Sequence, residues 1–175
     1  MIKAEGIHKT FEDFTALDNI TCNISDGCIY GMVGSNGAGK STFLRVLSGI
    51  YKPDKGCAYI DDEPIYENPK VKENIVFVSD ELFFLPGATM SKMADFYSSI
   101  YDRFNYDRFL KLAELFELNI KKPIANFSKG MKRQASIILA LSTRAKYMFF
   151  DETFDGLDPV MRNLVKKLIC NDVAE

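Results

Sequence analysis

Hydrophobic positions in the first third of the chain fall into short runs separated by turn residues. From Ile20 to Ile24 apolar and polar residues alternate, the pattern of a half-exposed strand, and Ser25-Asp26-Gly27 supplies the turn that follows. Cys28-Ile29-Tyr30-Gly31-Met32-Val33 is an almost unbroken apolar run and predicts a strand buried on both faces. The period then changes. Phe43, Leu44, Val46, Leu47 and Ile50 recur at helical spacing, so a helix starting near Gly39 should turn them toward the core. Lys52-Pro53-Asp54-Lys55-Gly56 breaks it as a turn, and Cys57 to Ile60 and Ile75 to Val78 read as further strands.

Between about Phe83 and Phe127 the texture becomes helical. Met90, Met93, Phe96 and Tyr97 share one spacing, and Phe109, Leu112, Ala113, Phe116 and Leu118 another, which predicts a helical insert with a small core of its own. Packing accounts for these methionines and aromatics; docking of another protein is the alternative use of such a face. Ser128 to Leu141 reads as a helix capped by Ser128, and Tyr147-Met148-Phe149-Phe150 as a strand ending in Asp151-Glu152. A last helix, about Pro159 to Ile169, starts on a proline whose missing N–H does no harm there. Strands alternating with helices indicate an α/β core with a largely parallel central sheet.

Composition narrows the function classes. The chain has 175 residues, 47% of them hydrophobic and 26% charged, enough for one domain with a real core and an attached subdomain. A net charge of −2 gives no global field toward nucleic acid or anionic lipid. Cys22, Cys28, Cys57 and Cys170 are scattered without a CxxC pair, so we expect small buried apolar residues rather than a zinc site or disulfide framework. His8 is the single histidine and is expected on a strand or the surface. Met1 to Glu5 shows no secretory pattern, and no apolar run approaches the roughly 18 to 20 residues of a membrane span.

Two motifs carry chemistry. Gly34-Ser35-Asn36-Gly37-Ala38-Gly39-Lys40-Ser41-Thr42 fits the phosphate-binding pattern G-x-x-x-x-G-K-[ST] between a predicted strand and a predicted helix. Glycines let successive N–H groups face phosphate oxygens, and the helix N-terminus adds partial positive charge. Lys40 brings a full charge to the β- and γ-phosphates, Ser41 a hydroxyl for Mg2+, and Thr42 a reach to the α-phosphate. The second motif is the acidic pair. Asp151 is expected to hold magnesium through its water shell, and Glu152 to polarise the water that attacks the γ-phosphate.

Together with its flanks, this arrangement resembles the nucleotide-binding domain of ABC-type ATPases over nearly the whole chain. Phe127-Ser128-Lys129-Gly130-Met131-Lys132-Arg133-Gln134 is similar to the LSGGQ signature, and Asp155-Gly156-Leu157-Asp158-Pro159 to the D-loop. Lys9-Thr10-Phe11 followed by Thr15-Ala16-Leu17 resembles the segment whose aromatic residue stacks on adenine, making Phe11 the candidate. The resemblance implies a P-loop NTPase core with an N-terminal antiparallel β portion and a helical insert. Residues 1–82 and 143–175 would form the ATP-binding core, and 83–142 the insert with the signature helix. It also implies ATP and Mg2+ as ligands, bound by a head-to-tail dimer. Ser128, Gly130 and Asp158 would meet the nucleotide held by the other subunit.

The implied function is the ATP-binding subunit of an ABC transporter. It would hydrolyse ATP to drive a separate polytopic membrane permease from the cytoplasmic face of the plasma membrane, without nucleic acid. A soluble ABC-type ATPase acting on ribosomes or DNA, and a nucleotide-gated interaction module with little turnover, are the alternatives.

Three departures bear on this. Lys129 and Met131 stand where the signature usually has glycine and glutamine, giving an SKGM form similar to that of bacterial split exporters. Asp80, in Val78-Ser79-Asp80-Glu81, takes the position of the family's γ-phosphate-sensing glutamine; shorter and anionic, it could still approach magnesium and is a candidate metal contact. The family's switch histidine would lie beyond Glu175, so a C-terminally shortened domain without its final strands, and with weakened turnover, is expected.

Overall fold

A computed structural model describes residues 1–174. It divides into two compact units, Met1–Asn74 with the chain end from Cys170, and Ile75–Ile169.

The first unit is an antiparallel sheet with a helix on it. Strands β1 (Ile2–Phe11) and β2 (Phe14–Ile24) form a hairpin, β3 (Lys55–Ile60) pairs with the other edge of β1, and β4 (Glu63–Pro64) closes the order β2-β1-β3-β4. Alternation sets the buried face: Ile2 and Ala4 point inward, and a register shift between Ala4 and Ile7 brings Ile7 onto the same side. Helix α1 (Lys40–Leu47) touches β2 and β3 and buries Phe43, Val46 and Leu47. A four-residue helix α2 (Pro69–Lys72) follows, capped by Asn68 and anchored by Val71.

A predicted strand and a predicted core residue are not found in this unit. Residues 28–33 form no strand; Ile29, Tyr30 and Val33 are exposed and Met32 is only half-buried. Apolar composition makes a segment eligible for a sheet, but a strand exists only in a ladder, and none of the ladders among the described residues includes this run. Ile50 is exposed rather than in the core, because α1 stops at Leu47. The amides of Ser48 and Gly49 close the last turn on Leu44 and Val46, so the helical rotation never reaches Ile50.

The second unit packs helices around a short parallel pair. Strand β5 (Ile75–Val78) runs beside β6 (Tyr147–Phe150) in the register Ile75↔Tyr147 through Val78↔Phe150. Helices α3 (Met90–Ser98) and α4 (Tyr106–Leu115) pack on α5 (Lys129–Ser142), which also touches β5. From Ala135 to Ser142 almost every side chain of α5 is buried, the signature of a helix covered all round. Its one buried hydroxyl there, Ser142 Oγ, donates to Ile138 O at 2.7 Å and so avoids the cost of an unpaired polar group. Truncating a fully buried member such as Leu139 to alanine would cost about 2–5 kcal/mol. Met90, Met93, Phe109, Leu112, Phe116 and Leu118 join this core as expected, and Phe127 joins it as well. Phe96 does not; it is more than a third exposed. Helix α6 (Pro159–Ala174) closes the chain and runs longer than the sequence pattern suggests.

The cysteines are free, as expected, but none is buried: Cys28 and Cys170 are exposed and Cys22 and Cys57 half-buried. Cys28 lies on the unpaired run and Cys170 on the outer side of α6, so neither meets a core to fill. His8 lies on β1 with Nδ1 3.2 Å from Asp18 Oδ1. Among the described residues no helix is long and apolar enough to cross a membrane.

Candidate functional site

The glycine-rich loop occupies residues 34–39, and α1 begins at Lys40. Gly37 (φ 82°) and Gly39 (φ 84°) both adopt left-handed backbone. They do so for different reasons. Nothing lies within 4 Å of where a Gly37 Cβ would be, whereas a Cβ on Gly39 would lie 2.3 Å from the carbonyl oxygen of Ala16 and 3.0 Å from Leu17 Cδ2. Gly39 therefore lets the start of α1 press directly on β2. Ala38 N–H donates to Ser35 O at 3.2 Å across the turn at Asn36-Gly37, and Phe43 N–H to Gly39 O at 2.8 Å opens the helix.

Lys40 folds back over this loop. Its ammonium donates to Gly34 O and Ser35 O, each at 2.9 Å, which brings a full positive charge onto the helix N-terminus. Ser41 and Thr42 follow on the first turn and are half-buried. An anion at this point would meet an ammonium, a helix dipole and a hydroxyl together.

Phe11 closes the β1–β2 hairpin opposite Phe14. Its ring meets Tyr51 edge-on at 5.5 Å, and Lys9 Nζ lies 5.4 Å from its centroid. Tyr51 in turn stacks under the Arg45 guanidinium at 5.7 Å, and Arg45 Nη1 donates to its hydroxyl at 3.4 Å. Since Arg45 belongs to α1, the aromatic at the hairpin tip is tied to the helix that carries Lys40. Neither Tyr51 nor Arg45 is distinctive in sequence.

In the second unit the acidic pair follows β6. Asp151 is buried, and its N–H donates to Val78 O at 2.9 Å, extending the parallel ladder by one residue. Thr153 Oγ1, also buried, donates to the same Val78 oxygen at 3.1 Å. Glu152 stands between these anchored residues with its side chain exposed and φ at 48°, a left-handed conformation that costs a non-glycine residue about 1–2 kcal/mol.

Asp80, just past β5, is engaged by Arg133 of α5: Nη2 donates to Asp80 Oδ1 at 2.7 Å. The same guanidinium donates through Nη1 to the carbonyl oxygen of Glu152 at 3.3 Å. Sequence reading gave Arg133 no role, because an arginine two residues into a basic stretch is indistinguishable from a solvated one.

Ser128 caps α5, its Oγ accepting from Met131 N–H at 3.2 Å. That uses an acceptor lone pair of the hydroxyl and not its O–H donor. Gly130 faces the Gly156 carbonyl, 3.5 Å from where its Cβ would be. Asp158 Oδ1 accepts from Val160 and Met161 N–H at 3.0 Å each, fixing the start of α6.

Among the described residues no group of three or more His, Cys, Asp or Glu side chains is gathered to hold a metal unaided. Ser41 in the first unit carries a hydroxyl and Asp151 in the second a carboxylate; these are oxygens of the kind Mg2+ takes one or two of beside substrate phosphates. Also in the second unit, a cavity of about 210 Å³ is lined by Leu82, Phe83, Phe96, Tyr97, Ile100 and Tyr101 among others.

Known proteins resemble this chain in sequence and in fold. A profile described as "ABC transporter" matches residues 17–155. "ABC transporter ATP-binding protein YtrB" of Bacillus subtilis (strain 168) is 31% identical over 175 residues, covering all of this chain and 60% of that protein. Our chain thus spans a little under two thirds of that relative's length. A solved "ATP binding subunit of ABC transporter" superimposes with a TM-score of 0.90 at 22% identity, covering 99% of this chain and 75% of the other. The "dimeric structure of a post-hydrolysis state of the ATP-binding cassette MJ0796 bound to ADP and Pi" does so with a TM-score of 0.84 at 23% identity, covering 97% and 81%.

Proposed function

We propose, because this chain belongs to the ABC transporter family, that it is the ATP-binding part of a transporter and hydrolyses Mg-ATP as a head-to-tail dimer. The observation that carries this reading is Lys40, folded across its own glycine-rich loop at the N-terminus of α1. That arrangement serves a polyphosphate and has little other use.

Phe11 stacks on the adenine, held through Tyr51 and Arg45. Gly34 to Thr42 cradle the phosphates with backbone N–H groups, the Lys40 ammonium and the Thr42 hydroxyl. Ser41 and Asp151 are the residues that the family resemblance assigns to Mg2+, and Asp80 is taken up by Arg133. When bound, the ion neutralises charge on the β- and γ-phosphates. Glu152, exposed and held at a fixed backbone angle, accepts a hydrogen bond from the attacking water and turns it toward the γ-phosphate. Ser128 keeps its O–H donor for the γ-phosphate of the partner copy, and Gly130 lets that phosphate approach the helix backbone. Asp158 belongs to the same shared interface. The MJ0796 cassette, which shares the fold, is a dimer with ADP and Pi bound, in keeping with a dimer here.

Transport requires a polytopic permease, and the chain would work at the cytoplasmic face of the plasma membrane through it. The apolar, aromatic cavity beside α3 suits an inserted side chain from such a partner. The test pairs two variants of the full chain. Lys40→Ala should abolish ATP binding, whereas Glu152→Gln should retain binding, lose turnover and accumulate an ATP-bound dimer in size-exclusion chromatography. Unchanged ATP affinity in Lys40→Ala, or unchanged turnover in Glu152→Gln, would remove the assigned role.

A further inference from the structure

Arg133 joins its own helix to two segments that sequence alone keeps far away. It projects from α5, three residues after Gly130, and its side chain is 5% exposed. One guanidinium nitrogen reaches Asp80 beyond β5, and another the Glu152 carbonyl beyond β6. Gly156 packs over the same group, with the position of its Cβ 3.7 Å from Arg133 Nε. That Nε is buried and makes no hydrogen bond among the described residues.

A buried cation is retained only where its partners repay desolvation, and here one carboxylate and one carbonyl do so. The carboxylate is half-exposed, so the interior partner is the Glu152 carbonyl. That carbonyl also accepts from Asp155 N–H at 3.2 Å, and Leu157 N–H closes the next turn on Phe154 O at 3.4 Å. The loop from Glu152 to Leu157 is therefore braced at its first residue by Arg133. A planar fork can serve both acceptors at once, which a lysine ammonium cannot.

We propose that Arg133 is a positioning residue: by bridging Asp80 and the Glu152 carbonyl it holds Glu152 in its left-handed backbone and sets the carboxylate for hydrolysis. Asp80 is then an anchor for this fork rather than a direct reader of the nucleotide. The assignment rests on the ATPase reading for its catalytic consequence, though not for its geometry.

The experiment compares Arg133→Gln, Arg133→Lys and Asp80→Asn in the full chain by steady-state ATPase assay and by hydrogen exchange without nucleotide. For Arg133→Gln we expect kcat to fall by about 10- to 100-fold, the scale of a 1 Å misplacement, with KM for ATP nearly unchanged. Arg133→Lys should recover kcat only in part. Combining Arg133→Gln with Asp80→Asn should cost no more than Arg133→Gln alone, since both act through one interaction. The amides of Asp155 and Leu157 should exchange about tenfold faster in Arg133→Gln, on the strength of a hydrogen bond to a charged group, while those of residues 34–42 keep their rates. Unchanged exchange at Asp155 and Leu157 overturns the proposal, as does faster exchange throughout, which marks a merely structural role. So does a kcat within twofold of wild type in an active protein. A wild type without turnover counts against the ATPase reading instead, and exchange still decides whether Arg133 holds the loop.

Discussion

Gly37 and Gly39 offer a controlled perturbation of the phosphate loop. Their φ angles, 82° and 84°, are nearly the same, so replacing either by alanine incurs the same left-handed penalty of about 1–2 kcal/mol. Only Gly39 adds a collision. Its new methyl would sit 2.3 Å from the Ala16 carbonyl oxygen and 3.0 Å from Leu17 Cδ2. Ordinary contact begins near 3.4 Å, so α1 and β2 must separate by roughly 1 Å, and overpacking of this kind costs about 1–3 kcal/mol. We therefore expect Gly37→Ala to lose about 1–2 kcal/mol and Gly39→Ala about 2–5 kcal/mol. Lys40, next in sequence, moves with the helix, so ATP affinity should fall by about 100-fold in Gly39→Ala. Urea unfolding followed by circular dichroism measures the first quantity, and isothermal titration calorimetry the second. Equal destabilisation by the two substitutions would refute the claim that Gly39 exists for close packing on β2, and undiminished ATP affinity in Gly39→Ala would sever the loop's geometry from nucleotide binding.

Two further outcomes follow from other parts of the molecule. Phe11→Ala should weaken adenine nucleotides by about 1–3 kcal/mol, the value of a base–aromatic stack, with a far smaller loss for inorganic triphosphate; equal losses for both would take Phe11 off the base. Burial, with Tyr101 beside it, pushes the Tyr97 phenol up to about 12 from its ordinary 10.0. Because the folded form holds that proton more tightly, its stabilising effect is complete below pH ~10 and is lost as pH rises toward ~12, up to roughly 2–3 kcal/mol. Tyr97→Phe should flatten this part of the stability–pH curve, and an unaltered slope would assign the alkaline loss elsewhere.

Much of the site was legible in sequence because its signals are local. Ser128 caps α5 through an amide three residues on, and Lys40 bonds to carbonyls five and six residues back, so short spacing nearly fixes the geometry. The helical core around Met90, Phe109 and Leu112 was equally readable from its period. Partners at long range were not. Nothing in Asp80 or Arg133 announces that they meet across 53 residues, and Asp80 alone read as a metal contact.

Residues 28–33 mark the same boundary from the other side. Their apolar run predicted a buried strand, yet Val33 stands fully in solvent. Composition expresses only a preference for leaving water, whereas a strand requires N–H and C=O partners on a neighbouring segment. By itself, then, the sequence determined the glycine-rich loop, the helix after it, the Ser128 cap and the family to which they belong, all carried by residues within a turn or two of one another. The tertiary structure alone decided which apolar segments found a partner, which cysteines remained at the surface, and that one buried arginine braces the loop bearing Glu152. Those outcomes depend on what the fold brings alongside a residue.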